Sequence, residues 1–317
     1  MNILIIATGG TIGSSFDGEC VNVRTDGRSE VIDRYLLTHP DIRFDIRHPL
    51  NILSERIIAD DFNALAKALY EVELSAYDGV ILTLGSDSLA YISSFVGLLF
   101  GNKHDIPIML VAANKILSAP DSNGYENFCC AVELIKRGTR GAYVPYRNSD
   151  GVMYVHTATD LRQADLSEDF YSLHGAYATY DGTLHPLRSP IIHTVPDCFS
   201  ADDPPKISDN VLLLHPYPMQ DYSALSARGK KAVLHTLYHS ATLDSASALA
   251  FLDSLGSVPF YIATLRGGQK PYATTKEIIE AGAIPLCGIS PECAYMKLLL
   301  ACAQEKMSIK TFMEADR

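Results

Sequence analysis

Ile3-Leu4-Ile5-Ile6-Ala7 is a run of apolar, mostly β-branched residues, and Thr8-Gly9-Gly10-Thr11 follows it directly. A short apolar run bounded by glycines predicts a buried β-strand that ends in a turn. The same order returns at Val80-Ile81-Leu82-Thr83-Leu84, which precedes Gly85-Ser86-Asp87-Ser88. Such runs alternate with helical patterns in this half of the chain, as is typical of a parallel sheet with crossover helices. The two stretches therefore predict an α/β fold.

Further elements follow the same alternation. Ala59–Glu73 has helical spacing after a plausible Asp cap. Other helices are predicted from Ser88 to about Phe100 and over Asn127–Arg137. Further strands are predicted at Arg43–Arg47, Pro107–Ala112, Gly141–Pro145 and Val152–His156.

A proline-rich stretch divides the chain. Five prolines crowd between Leu184 and Pro205, where the alternation stops. A second alternation then begins, with strands at Val211–Leu214, Ala232–Thr236, Pro259–Thr264 and Ile284–Cys287 and helices near Leu225–Arg228, Ser245–Leu255, Thr274–Ala281 and Pro291–Glu305. We therefore expect an N-terminal domain (1–185), a linker (186–208) and a smaller C-terminal domain (209–317), each a mainly parallel sheet flanked by helices.

Charge and hydropathy narrow the class of partner. The formal net charge is −11, and no Lys/Arg-rich run is present, so nucleic acid is not an expected partner. The longest apolar runs, such as Val96–Phe100, are far too short to span a bilayer. A small neutral or zwitterionic ligand is compatible with this composition.

Cysteine usage bears on the compartment. The seven cysteines form no C-x-x-C motif, and Cys129 and Cys130 are adjacent. This cysteine pattern favours reduced thiols. The N-terminus lacks a basic region and a cleavage site, so a cytoplasmic protein is expected.

The candidate site lies where the two glycine-ended strands finish. Thr11 and the Ser86-Asp87 pair would share the carboxyl edge of a parallel sheet, where ligands bind. A hydroxyl there attacks a carbonyl carbon only if a neighbouring group takes its proton. The alternative is that Thr11 and Ser86 simply cap helices. Dinucleotide, P-loop, G-x-S-x-G and metal-binding histidine motifs are missing from the sequence, so no cofactor and no metal are expected.

Longer motifs resemble the bacterial-type L-asparaginase family, cytoplasmic type. Ile6–Gly13 is similar to its first signature, and Asp78–Tyr91 to its second, D-G-x-V-x-x-H-G-T-D-T-M. Asn51–Arg56 resembles its substrate-binding serine segment. The likeness continues at Asn123–Phe128, Tyr238–Thr242 and Gly288–Ala294.

The resemblance implies hydrolysis of the side-chain amide of asparagine, or of a related small amide, through a threonine acyl-enzyme. Thr11 would be the nucleophile, and Ser86 and Asp87 the second catalytic pair. Ser54 and Glu55 would bind the substrate's α-carboxylate and α-amino ends, and Asp87 would also bind the amino group. The loops at Gly10 and Gly85 would supply N–H donors to the oxyanion. The family's homodimers or homotetramers imply that Thr242 of a neighbouring subunit completes the pocket.

Some positions depart from the family. Leu84 replaces a histidine and Ser86 a threonine, Cys20 lies nearest to the usual tyrosine, and 157–162 lacks the usual lysine, with Asp160 at the most similar position. Two hypotheses stay open: an active amidohydrolase with a different proton path, and a catalytically degenerate homologue that binds or senses an amino acid.

Overall fold

The computed structural model describes residues 1–9, 14–16, 21–23, 30–103, 105–268 and 270–315, with the backbone alone for 14–16 and 21–23. Its contacts form two compact units, Met1–Pro205 and Lys206–Ala315. The division falls inside the stretch 186–208, most of which is grouped with the first unit. The limits of the linker stay a prediction.

The first unit begins with the predicted strand. Its helices are α1 Glu30–Leu36, α2 Ala59–Tyr70, α3 Leu89–Phe100 and α4 Gly124–Lys136, and short 3-10 turns cover Ser54–Arg56, Leu74–Ala76 and Ser86–Ser88. Its strands are β1 Asn2–Ala7, β2 Ser14–Phe16, β3 Val21–Val23, β4 Arg43–Arg47, β5 Gly79–Thr83, β6 Pro107–Val111, β7 Gly141–Arg147, β8 Met153–Thr157, β9 Ala178–Tyr180 and β10 Leu184–Pro186.

Eight of these strands form one sheet in the order β10-β9-β8-β7-β6-β5-β1-β4. The pairs from β4 to β7 are parallel, and those from β7 to β10 are antiparallel. The predicted pair at 141–145 and 152–156 is thus an antiparallel hairpin. Strands β2 and β3 pair separately.

Helices cover both faces of this sheet, as a mainly parallel sheet requires. Ile3 and Ile5 face a core that includes Val31 of α1 and Phe128 of α4. Side chains alternate along a strand, so Leu4 and Ile6 are buried on the opposite face. Helix α2 packs on α3 through Phe62 and Phe95, whose ring centroids lie 5.2 Å apart. The predicted Asp cap of α2 is wrong, because Ile58 occupies the N-cap position. Asp61, at the third position of the helix, instead accepts the backbone N–H of Ile58 at 2.8 Å.

The second unit has a four-stranded, all-parallel sheet in the order β11-β12-β13-β14. Its strands are β11 Val211–Leu214, β12 Ala232–Thr236, β13 Phe260–Leu265 and β14 Ile284–Cys287. Its helices are α5 Ser245–Ser254, α6 Ala273–Glu280, α7 Pro291–Cys302 and α8 Ile309–Glu314. The predicted fold class, two sheets flanked by helices, is confirmed.

The predicted helix near Leu225–Arg228 is wrong. A 3-10 turn at Tyr222–Ala224 stands in its place, and Asp221 caps it by accepting the Ser223 N–H at 2.9 Å. In the part of the chain that the structure describes, no helix is long and apolar enough to cross a membrane.

Candidate active site

The strand order reverses around β1 at the carboxyl edge of the large sheet. From β1 the chain reaches β4 on one side, and then crosses to β5 on the other side of β1. Ligands of open parallel sheets bind at such a switch point. The residues that follow β1 and β5 are the ones that the sequence singles out, Gly9-Gly10-Thr11 and Gly85-Ser86-Asp87.

Three chain segments lie side by side at this edge. The Thr8 side chain and backbone N–H both donate to the carbonyl of Thr83, each at 3.1 Å, and Thr8 O accepts the Ile52 N–H at 3.0 Å. Gly9 has φ +108°, and a Cβ there would lie 2.5 Å from Ile52 O. Glycine is therefore required at position 9 because of both its φ and its approach to the neighbouring backbone. Gly10, Thr11 and Cys20, which the sequence assigns to the site and its loop, lie outside the described residues.

The segment 51–56, which the resemblance assigns to substrate binding, meets the second signature at this edge. Ser54 Oγ donates to Asp87 Oδ2 at 3.0 Å, which joins the 3-10 turns 54–56 and 86–88. Asp87 and Glu55 are exposed, and Ser54 and Ser86 are half-buried. The exposed carboxylates can accept hydrogen bonds from an ammonium group, and the neighbouring hydroxyl groups can donate to a carboxylate.

The environment of Ser86 argues against the capping alternative. Gly85 occupies the N-cap position of the 86–88 turn, and Ser88 that of α3, so Ser86 caps neither element. Gly85 itself is buried at the carboxyl end of β5. Leu84 is fully buried, and its N–H donates to Val111 O at 3.0 Å. The position where the family has histidine thus belongs to the apolar core in this chain.

The turn 157–160, at the end of β8, lies at the opposite edge of the sheet, where Asp160 N–H donates to Thr157 O at 3.0 Å. Ala158 N donates to Ala142 O at 3.0 Å, and the neighbouring Gly141 pairs with the first residue of β6, Pro107. The structure therefore does not bring Asp160 to Ser86 and Asp87.

Asp160 is instead tied to a histidine that sequence reasoning missed. Its side chain is 2% exposed, and Oδ1 lies 2.7 Å from His174 Nδ1, while Oδ2 accepts the His174 N–H at 3.2 Å. Burial raises the pKa of the Asp160 carboxyl, although His174 opposes this. No sequence signal marks this pair, because the two residues lie on a turn and a loop without regular spacing.

Thr242 belongs to a tight turn in the second unit. Tyr238 N–H donates to Thr242 O at 2.9 Å, and the hydroxyls of Ser240 and Thr242 lie 2.9 Å apart. Thr275 Oγ1 donates to Ala241 O at 2.7 Å, which holds Ala241 at φ +60°. Among the described residues, no cluster of three or more His, Cys, Asp or Glu residues could hold a metal ion.

The fold is α/β, and hydroxyl and carboxylate groups meet at its switch point, which makes this edge the candidate ligand site. The family model described as "Asparaginase, N-terminal" matches residues 2–174, more than half of the 317-residue chain. The chain therefore belongs to the asparaginase family.

Individual members of this family are similar to the chain in sequence and in structure. An L-asparaginase of Thermococcus kodakarensis is 28% identical over 147 residues, which cover 46% of this chain and only 44% of the relative. One of the subunits of a glutamyl-tRNA(Gln) amidotransferase from Thermoplasma acidophilum is 25% identical over 326 residues, covering 95% of this chain and 75% of the relative. The solved structure of the thermostable L-asparaginase from Thermococcus kodakarensis shares the fold, with a TM-score of 0.78 at 22% identity over 99% of this chain and 97% of that one.

Proposed function

We propose that the protein is an amidohydrolase that converts L-asparagine, or a related small amide, to the acid and ammonia. Family membership supports the reaction class. The observation that carries the proposal is the Ser54–Asp87 hydrogen bond of 3.0 Å. It joins two segments that the family resemblance assigns to one substrate, beside the strand that leads to Thr11.

The reaction proceeds in two steps. Thr11 Oγ attacks the amide carbon, the C–N bond breaks, and ammonia leaves with a proton. Water then attacks the acyl ester and releases the acid and the Thr11 hydroxyl. The backbone N–H groups of the loops at Gly10 and Gly85 stabilise the oxyanion in each step.

Ser86 and Asp87 act as the second catalytic pair and relay the proton that Thr11 loses. Ser54, Glu55 and Asp87 hold the two charged ends of the substrate, which makes the attack effectively intramolecular. No cofactor takes part in this scheme. Cys20 and the lysine-free segment 157–162 supply neither the family's phenol nor its amine, so the relay runs through Ser86, Asp87 and water.

A second candidate function is ligand binding without turnover. The observation that favours it is the position of Asp160, which lies at the far edge of the sheet, bonded to His174. A site without the family's lysine retains its affinity for the zwitterion through Ser54, Glu55 and Asp87, because those groups contact parts of the ligand that do not react.

Assembly and compartment are part of the proposal. A homodimer or homotetramer brings Thr242 of a neighbouring subunit to each pocket. The described cysteines, among them Cys129 and Cys130, are free thiols, which suits a cytoplasmic protein.

An assay of both products tests the proposal. Purified protein is incubated with asparagine, glutamine and other ω-amides, and ammonia and the acid are measured separately. We expect equal amounts of the two from at least one amide. Tight binding of aspartate without ammonia release would instead support the binding protein.

A further inference from the structure

The motif Asn123-Gly124-Tyr125-Glu126-Asn127 at the start of α4 has no role in the chemistry proposed above. Three of its residues contact the chain that leaves β6, which we call the β6–α4 loop (residues 112–123). The contacts occur at the same edge of the sheet as Ser86 and Asp87. They explain what this motif does.

The sheet separates between β6 and β7 at its carboxyl edge. The two strands pair only over Pro107–Met109 and Gly141–Tyr143. Beyond that point β6 continues to Val111 against β5, and β7 continues to Arg147 against β8. The backbone groups that face the gap need other hydrogen-bond partners, because unpaired buried peptide groups are costly.

Asn127 bridges this gap. Its side chain is completely buried, its Nδ2 donates to Ala112 O at 3.0 Å, and its Oδ1 accepts the Arg147 N–H at 2.9 Å. One side chain therefore replaces a missing rung between the two strands. Only an amide supplies a donor and an acceptor at these two places, since a carboxylate lacks the donor.

Asn123 makes a second bridge. Its Oδ1 accepts the Asn114 N–H at 2.9 Å, its own N–H donates to Asn114 Oδ1 at 3.0 Å, and its Nδ2 donates to Arg147 O at 2.8 Å. Gly124 lets the helix approach, because a Cβ there would lie 2.8 Å from Ala113 Cβ and from Leu117 Cδ2. The β6–α4 loop is thus fixed to α4 and β7 through side-chain amides.

The bridged strand end also supports the site. Val111, next to Ala112, accepts the N–H of Leu84 at 3.0 Å, and Leu84 is two residues before Ser86. A shift of Ala112 therefore reaches the backbone that carries Ser86 and Asp87. We infer that Asn127 and Asn123 are positioning residues, which hold the second catalytic pair in place by fixing the carboxyl end of β6. The inference rests on the proposed amide hydrolysis.

Asn148 provides a matched control. It is buried to 3% exposure, its Nδ2 donates to Phe170 O at 3.0 Å, and its Oδ1 accepts the Phe170 N–H at 3.1 Å. It makes the same kind of amide bridge directly after Arg147, but its partner is Phe170 and not Ala112. Loss of either bridge should lower stability similarly, whereas only loss of the Asn127 bridge should displace Ser86.

The test compares Asn127→Asp with Asn148→Asp at a temperature where circular dichroism shows both variants folded. We expect kcat for asparagine to fall on the order of 10–100-fold in N127D, as for a small misplacement of reacting groups, with a smaller change in KM. N148D should stay within about twofold of wild type, the ordinary scatter expected of a residue outside the catalytic geometry. Equal effects in both variants, or an unchanged N127D, would overturn the inference.

A second variant and a binding readout keep the test decisive. If N127D does not fold, Asn123→Ala, which keeps the Asn127 bridge, should show a smaller fall in kcat, and no fall would overturn the inference. If wild-type protein releases no ammonia, the proposed function fails separately. The same variants are then compared by their Kd for aspartate. Equal affinities in N127D and N148D would overturn the positioning role. A wild-type protein that does not bind aspartate at all would overturn it too.

Discussion

Ser54 Oγ donates a hydrogen bond of 3.0 Å to Asp87 Oδ2, although 33 positions separate the two residues in the chain. The bond joins the 54–56 turn to the 86–88 turn. It is the described contact on which the proposed substrate site depends. The first two predictions concern its two ends.

Ser54→Ala should weaken substrate binding more than catalysis. The variant removes a hydrogen bond to a charged group, an interaction of about 1.5–3 kcal/mol, so KM for asparagine should rise roughly 10–100-fold. We expect kcat to change by less than about threefold, because Ser54 contacts an end of the substrate that does not react. Steady-state kinetics check this, and a fall in kcat at constant KM would contradict it.

Asp87→Asn should reduce turnover more strongly. The amide side chain that replaces the Asp87 carboxylate cannot relay a proton and carries no charge to bind the substrate's amino group. We therefore expect kcat/KM to fall on the order of 10²–10⁴-fold. Ser86→Ala should fall in the same range. Glu126→Gln, on the exposed side of α4, is a control of the same chemical type. A D87N enzyme as active as E126Q would remove Asp87 from the mechanism.

Asp160 should contribute to stability and not to turnover. Asp160→Asn weakens the bond to His174, so the free energy of unfolding should fall by about 1–3 kcal/mol, with kcat of the folded protein unchanged. Asp160→Lys, which introduces the family's residue type, should destabilise by about 3–5 kcal/mol, because it buries an unpaired ammonium group. Urea denaturation and ammonia release measure the two quantities. A rise in kcat in D160K would show that this segment reaches the site.

Stability should fall in acid because of His156. The ring is buried, Nδ1 lies 2.9 Å from Ser172 Oγ, and Nε2 finds no hydrogen-bond partner among the residues that the structure describes. Burial lowers the pKa of His156 from 6.5 to about 4. The unfolded chain therefore takes up a proton below pH 6.5 that the native state takes up only near pH 4.

This linkage should lower the free energy of unfolding by up to about 3 kcal/mol between pH 6.5 and 4. His156→Asn should flatten the dependence, whatever its effect at neutral pH. Denaturation at a series of pH values, with His185→Asn as the exposed control, measures both slopes. Equal slopes for wild type and H156N would contradict the assignment.

The strands that carry the site could be predicted from sequence because their signals are local. The apolar runs before Gly9 and Gly85 are long enough to identify β1 and β5, and the glycines mark where each strand ends. The close approach of Gly9 to Ile52 is not local, and neither is the bridge of Asn127 to β7. Such contacts depend on which strands lie side by side.

Short elements were missed or misplaced for a related reason. Helix α1 has seven residues and β9 has three, so neither offers enough turns or alternations to identify a period. The 3-10 turn at Tyr222–Ala224 depends on its Asp221 cap, whereas the prediction at 225–228 relied on spacing alone. The position of Asp160 could not be predicted from sequence for a similar reason. Sequence similarity placed Asp160 near a catalytic position, whereas strand register places it at the edge of the sheet opposite to Ser86 and Asp87.

Ammonia release by wild type and Thr11→Val, each with saturating asparagine, tests the central claim most directly. Valine keeps the shape of threonine and removes the hydroxyl, so the account predicts measurable turnover in wild type and a loss of several orders of magnitude in T11V, with unchanged circular dichroism. Turnover that survives in T11V would contradict the threonine acyl-enzyme and leave Ser86 as the next candidate nucleophile.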